Sequence, residues 1–245
     1  MRLCISFCCA CVMVTINGCS KPAKTSIPQE KACLERDVGI SPGPLLEKEF
    51  TYIYDTAKWG CNSAGEGSSG YGSSIESTKL YVALLEDFIQ THNIKSVVDV
   101  GCGDWEFSRH INWGNASYVG FDVVQRVINK NIRSFARPHI AFICANALET
   151  DLPTADLLIC KDMLQHLPNN DILAFFKQLP KFKYCLITND IDPTTFTSMN
   201  YDIELAGHWR TIDLTTAPFN IKAKKILTYL THSNNMKQVL LIERI

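Results

Sequence analysis

Hydrophobic residues fall along this chain in short runs that alternate with amphipathic stretches. Ser96–Val100, Tyr118–Asp122, His139–Cys144, Asp156–Cys160 and Tyr184–Thr188 are apolar runs of five or six residues, each the length of a buried strand. Between them lie helical patterns. Leu80, Leu84, Leu85, Phe88 and Ile89 recur at helical spacing in a helix capped by Ser73 or Ser74 and ending near Asn93. Glu106 to Ile111 reads as a short helix. Val124, Val127, Ile128, Ile132 and Phe135 mark one side of a longer one, and Asp171 to Leu179 a third. Apolar strands separated by helices imply parallel pairing with both faces covered. Two last runs, Lys225–Leu230 and Gln238–Ile242, are joined by the polar turn Ser233-Asn234-Asn235. So short a connection forces antiparallel pairing. The expected fold is α/β: a doubly wound, Rossmann-like, mostly parallel sheet with an antiparallel edge and helices on both faces.

The N-terminal third reads differently. Met1-Arg2 precedes an uncharged, mostly apolar run, Leu3 to Ile16, and then Asn17-Gly18-Cys19-Ser20. About 14 apolar residues are too few to span a bilayer as a helix, which needs about 20, but they fit the core of a secretory signal. Gly18-Cys19-Ser20 also resembles a lipoprotein cleavage site with Cys19 as the lipidated residue. The expectation is a signal peptide or membrane-anchoring leader over 1–20, placing the chain in the secretory pathway or at a membrane, with a cytoplasmic location as the alternative. Residues 21–58 hold Pro22, Pro28, Pro42 and Pro44 and read as an irregular arm; 59–245 read as one domain. Within it, residues 59–74 are rich in Gly and Ser. Trp59 and Tyr71 favour an ordered loop over a flexible linker, and Ser69-Gly-Tyr-Gly-Ser73 is expected to fold over a ligand.

Composition narrows the partners. The formal net charge of the 245 residues is -1, and Lys and Arg are scattered. No field or basic stripe attracts phosphates, so a nucleic-acid substrate is disfavoured. Of eleven cysteines, four lie in the leader's apolar run with Cys19 just after it, and Cys102, Cys144, Cys160 and Cys185 lie in or beside buried strands. Only Cys33 and Cys61 fall in polar segments that suit a disulfide. No Cys/His spacing suits zinc, and no metal is expected.

The strongest chemical signal is Val97-Val-Asp-Val-Gly-Cys-Gly-Asp-Trp105: a buried strand running into Gly101-x-Gly103. Such a turn lets a ligand approach the backbone at the strand ends, where α/β sheets bind their ligands. A dinucleotide site wants a third glycine at position 106, which is Glu106, so an NAD-dependent enzyme is disfavoured. An acidic residue two before the first glycine suits a cationic ligand, and Asp99 fills that place.

Asp99-Val-Gly101-Cys-Gly103 resembles motif I of the class I S-adenosylmethionine-dependent methyltransferases, of the type 11/12-like kind. The family places a third glycine where this chain has Trp105, which is then expected to pack over the methionine end of the cofactor. The resemblance implies that Asp122 receives the ribose hydroxyls and that Asn146, beside Ala147, contacts the adenine amine. Asp156-Leu-Leu-Ile-Cys-Lys-Asp-Met-Leu-Gln-His-Leu167 resembles motif IV and its following segment, with Lys161 on the cofactor side. Candidate catalytic groups are Asp162, His166 and His208. Arg210, in Gly207-His-Trp-Arg-Thr-Ile-Asp213, suits an acceptor carboxylate or phosphate. Asp162 with Asn189-Asp190 resembles the metal site of catechol O-methyltransferases with the order of the last two reversed. The expected activity is methyl transfer from S-adenosyl-L-methionine to an O or N atom of a small molecule. The alternative is a non-catalytic binding protein of the same fold, exported or anchored. An aminopropyl transferase would need an acidic cluster for a polyamine, and none is evident.

Overall fold

The computed structural model describes residues 43–192, 194 and 200–244. The leader, Cys19 and Cys33 lie outside them. Seven strands form one sheet in the order β3-β2-β1-β4-β5-β7-β6. They are β1 (Ser96–Val100), β2 (Ser117–Asp122), β3 (Ile140–Cys144), β4 (Ala155–Lys161), β5 (Phe182–Ile191), β6 (Lys224–Leu230) and β7 (Met236–Glu243). The first five pair in parallel, and β7 is antiparallel to both β5 and β6. The order reverses between β1 and β4. Their C-terminal ends therefore diverge into a crevice, the place where such sheets bind ligands.

The helices are α1 (Gly43–Asp55), α2 (Ile75–Thr91), α3 (Gln125–Phe135) and α4 (Asn169–Phe175). The expected irregular arm is thus helical over Gly43–Asp55. Its prolines all precede the helix or sit in its first turn, where a missing N–H costs nothing. Ser74 caps α2 by accepting the Ser77 N–H at 3.3 Å. The buried side of α2 is Tyr81, Leu85, Phe88 and Ile89 with Ser77 and Thr78, while Leu80 faces outward. Tyr81, four residues before Leu85, takes the core position on this face. The helix expected over Glu106 to Ile111 shrinks to a single 3-10 turn, Ser108–His110. The aromatic side chains of Trp105 and Trp113 claim the core on either side of it.

Core residues pack on both faces. One cluster holds Val98, Val100, Leu158, Cys160 and Ile187, the other Val97, Leu157, Ile159, Leu186 and Val239. Alternate residues of the same central strands feed the two clusters, as a period of two requires. Leu158 in central β4 is fully buried. Leu158→Ala should lower stability by about 2–5 kcal/mol, read as a fall in the urea midpoint with an unchanged m-value.

Candidate active site

A cavity of about 310 Å³ opens at the crevice, in the range of small-molecule sites. Its floor is the turn after β1. Gly101 has φ +74°, and a Cβ there would stand 2.9 Å from Met163 Cγ. Gly103 has φ +53°, and its Cβ would stand 2.2 Å from Ser69 Oγ. Both positions therefore need glycine for backbone conformation and for space.

Ser69 ties the segment before the sheet to this turn. Its hydroxyl donates to Asp104 Oδ1 (2.7 Å) and accepts the Asp104 N–H (2.9 Å), and it lies 2.6 Å from Tyr54 Oη on α1. The Ser69–Ser73 loop, with Leu46, Phe50 and Tyr54 of α1 and with Trp59, thus forms one wall of the cavity.

The ends of β2 and β3 form the next wall. Asp122 Oδ2 accepts the Gly103 N–H at 3.1 Å and Oδ1 accepts the Val124 N–H at 2.9 Å. These bonds fix the carboxylate at the cavity edge and lock the turn to it. Asn146 and Ala147 line the same wall. Asn146 Oδ1 accepts the Leu148 N–H at 3.0 Å, which orients its side-chain amide.

The ends of β4, β5 and β7 close the far side with charge. Asp162, at φ +57°, receives the Lys161 ammonium on Oδ2 and the Lys237 ammonium on Oδ1 (2.8 Å). Lys237 Nζ is also 2.7 Å from Asp190 Oδ1. Lys161 donates to the Gly72 carbonyl at 2.9 Å and lies 5.4 Å from the Phe107 ring. Asp190 Oδ2 accepts Trp209 Nε1–H (2.7 Å) and Gln165 Nε2–H (3.1 Å).

Residues 97–182 match a family model described as a methyltransferase domain. The sheet is that of the Rossmann-like methyltransferase fold. The structure superposes on magnesium protoporphyrin IX methyltransferase (ChlM) from Synechocystis PCC 6803 with bound SAM at a TM-score of 0.58. The two share 13% identity, over 86% of this chain and 100% of that one. N-methyltransferase NodS from Bradyrhizobium japonicum WM9, in complex with S-adenosyl-L-homocysteine, gives a TM-score of 0.58 at 12% identity, over 78% of this chain and 98% of that one. At these identities the likeness is one of fold. No curated protein matches the sequence.

The cavity gathers Gly101, Gly103, Asp122, Asn146, Ala147, Lys161, Asp162 and His166 of the expected site. Three expectations are corrected. Trp105 is 2% exposed and packs on Tyr118, Phe135 and Phe142 rather than over the cavity. It keeps the left-handed backbone of the missing third glycine, φ +57°. Burial of the indole offsets that conformation, which costs an L-residue roughly 1–2 kcal/mol. The His208 side chain is exposed and does not line the cavity; only its carbonyl reaches inward, 3.0 Å from His166 Nδ1. Arg210 is fully buried and offers no free fork to a substrate. Its guanidinium donates to the Tyr201 and Leu167 carbonyls, with Asp202 3.6 Å away.

The geometry of His166 settles its tautomer. A carbonyl only accepts, so Nδ1 carries the proton and Nε2 holds the lone pair. Burial drives its pKa down to about 4, so it is neutral at physiological pH and holds a proton weakly. Asp162 lies below the ordinary carboxylate range: burial raises it, but Lys161 and then Lys237 outweigh that. Among the described residues, no group of three or more His, Cys, Asp or Glu is placed to hold a metal ion.

Asp99 lies behind the glycine turn, in a narrow polar annex shared with Ser69, Ser73 and Lys161. It accepts the Tyr118 hydroxyl at 2.6 Å and is 4% exposed. Burial pushes its pKa up to about 7. The folded protein therefore holds a proton that the unfolded chain releases near pH 4, and this contribution to stability is lost as pH rises toward 7. Asp99→Asn keeps an acceptor for Tyr118 and removes the titration. Its stability relative to the parent should rise between about pH 4 and pH 7, by up to roughly 4 kcal/mol, in urea melts across that window. A pH-independent difference would contradict the protonated state of Asp99.

Proposed function

We propose that S-adenosylmethionine binds along the β1–β2–β3 side of this cavity and that its methyl group passes to an oxygen or nitrogen of a small molecule seated on the β4–β5–β7 side. The observation that carries this reading is the placement of Asp122. It stands at the cavity edge with both oxygens oriented by backbone N–H groups of the glycine turn and of the residue two further on. Each oxygen keeps lone pairs for a ribose diol. The Asn146 amide and the Ala147 and Leu148 side chains offer an adenine a polar edge and an apolar slot. The annex behind the turn holds Asp99 and Lys161, polar groups that suit the methionine end.

The bound cofactor supplies an electrophilic methyl group. The chain's own residues orient the acceptor and exclude water. The acceptor half is aromatic at its rim, where Tyr71 and Trp209 both line the cavity and are about half exposed. Its buried cations are already matched by carboxylates, so it offers no free charge to a polyphosphate or polyanion. A small, weakly charged acceptor fits this lining. The reading that Leu3 to Ile16 leads the chain to the secretory pathway or a membrane rests on sequence alone; cell fractionation of the full chain tests it.

Calorimetric titration with S-adenosylhomocysteine tests the cofactor assignment. Asp122→Asn should weaken binding by about 10–100-fold, the worth of one or two hydrogen bonds to a charged group. Burial raises the Asp122 pKa to about 6. Because the ionised form accepts the diol, affinity should also fall as pH drops below about 6, and the variant should lose that dependence. Undiminished binding by Asp122→Asn would remove the ribose assignment.

A further inference from the structure

Methyl transfer to a hydroxyl needs somewhere for the hydroxyl proton to go and something to hold the oxygen while it attacks. His166, the nearest imidazole, is a weak proton acceptor here, and Asp162 is occupied by two ammonium groups. The sheet register places a better pair beside them. Asp190 on β5 sits opposite Lys237 on β7, and Lys237 opposite Tyr229 on β6. The Asp190 and Lys237 side chains line the acceptor half of the cavity although they are only 2% exposed.

Both groups have unused capacity. Lys237 carries three N–H donors. One is aligned on Asp162 Oδ1, and Asp190 Oδ1 lies close as an ion-pair partner. That leaves one for a ligand. Asp190 Oδ2 is taken by Trp209 and Gln165, whereas Oδ1 has no aligned hydrogen bond despite its burial. Gly72 keeps the approach open: a Cβ there would come within 3.3 Å of Lys237 Nζ and 3.0 Å of Asp162 Oδ2.

We propose that Asp190 and Lys237 are the catalytic pair for a phenol-class acceptor, whose hydroxyl donates to Asp190 Oδ1 while its oxygen accepts the remaining N–H of Lys237. The Trp209 indole, fixed by Asp190, offers its face to the acceptor ring at the rim. The proton passes to Asp190. The oxygen, held by Lys237, bonds to the methyl carbon as the carbon–sulfur bond breaks. Its electron pair stays on sulfur, leaving a methyl ether and S-adenosylhomocysteine, and Asp190 returns its proton to water. Lys237 keeps its charge throughout: burial works against it, but Asp162 and Asp190 more than compensate and hold it above the ordinary lysine range. Asp162, Lys161, His166 and Tyr229 are the titratable groups that act electrostatically on this pair, and Tyr81 stands beyond them against Asp162 and Tyr229. This assignment rests on the cofactor reading above.

The probe is 4-nitrophenol, whose absorbance reports its ionisation. It is titrated with pH in the presence of the full chain saturated with S-adenosylhomocysteine. The bound phenol should ionise about one pH unit below the free phenol, the shift expected for an ammonium within hydrogen-bond reach. Lys237→Met should abolish the shift and Lys237→Arg retain part of it, with calorimetric S-adenosylhomocysteine affinity unchanged in both. A bound probe that titrates like the free phenol, or a shift that survives Lys237→Met, overturns the assignment. So does failure of 4-nitrophenol to bind while S-adenosylhomocysteine binds, and then the cofactor reading stands. Failure of S-adenosylhomocysteine itself to bind overturns both. The parent titration decides the matter even where Lys237→Met, which leaves two buried carboxylates short of a partner, does not fold.

Discussion

The rest of the structure depends on how the chain leaves β1. At that point the strand order reverses, so the crossovers that follow β1 and β4 run to opposite sides and cannot fill the space between the strand ends. A cavity is the geometric consequence. Keeping it open requires a turn that stays out of it, and the turn 101–103 does so with two left-handed glycines. The backbone bonds that hold this turn are also those of the site. Gly101 N–H and Cys102 N–H both reach the Phe121 carbonyl, Gly103 N–H reaches Asp122, and the Gly103 carbonyl accepts from the buried Asn131 amide of α3. The carboxylate that locks the turn also lines the cavity.

Charge is handled differently at the two ends of the cavity. On the β1–β2 side, Asp99 is buried and Asp122 half-buried, both with hydrogen bonds but without ion pairs, and desolvation raises both. These carboxylates are destabilised until something cationic or hydrogen-bond-donating arrives, a bias toward a ligand with those features. On the β4–β5–β7 side, Lys161, Asp162, Lys237 and Asp190 alternate in sign along one chain of contacts. Such a chain cancels most of its own field, so it holds its side chains in place without drawing in ions. Removing a single member would leave a buried charge without its partner, which costs far more than the pair contributes. The network therefore fixes geometry more than it adds stability.

The fold was legible because it follows from hydrophobic spacing alone. Five apolar runs of strand length, separated by amphipathic stretches, leave little choice but a parallel sheet, and the short Ser233–Asn235 turn sets the antiparallel edge. The Gly101-x-Gly103 turn was legible because a buried strand running into two closely spaced glycines must turn sharply, and the position of Asp122 because the apolar run before it ends there. The errors share a cause. Trp105, His208 and Arg210 were assigned by side-chain chemistry near the site, but each side chain follows its own physical demand. An indole finds the core, a guanidinium finds buried carbonyls that lack donors, and a solvated imidazole stays in water. Lys237 was missed for the opposite reason. It lies at the start of β7, between β5 and β6, with no motif around it, and only the register of β7 against β5 brings it beside Asp190. A lysine one step before Gln238-Val239-Leu240 could have drawn notice, since a cation leading into a buried strand needs a carboxylate to meet it.

The segment before the sheet supplies the last step. Residues 43–73 add no strand, yet they provide one whole wall of the cavity through α1, Trp59 and the Ser69–Ser73 loop. Their hold on the rest is polar as well as apolar. Ser69 is locked to Asp104, and Gly72 offers its carbonyl to Lys161. Gly67 lies so close to α1 that a Cβ would meet the Tyr54 carbonyl at 1.8 Å, and Trp59 packs on His166 at 4.7 Å between ring centroids. One wall thus touches the glycine turn, the β4 lysine and the segment after β4. A ligand cannot leave through this wall unless those contacts separate together. The cavity meets solvent at its rim, where Tyr71 of the same loop and Trp209, held by its bond to Asp190, both stand about half exposed.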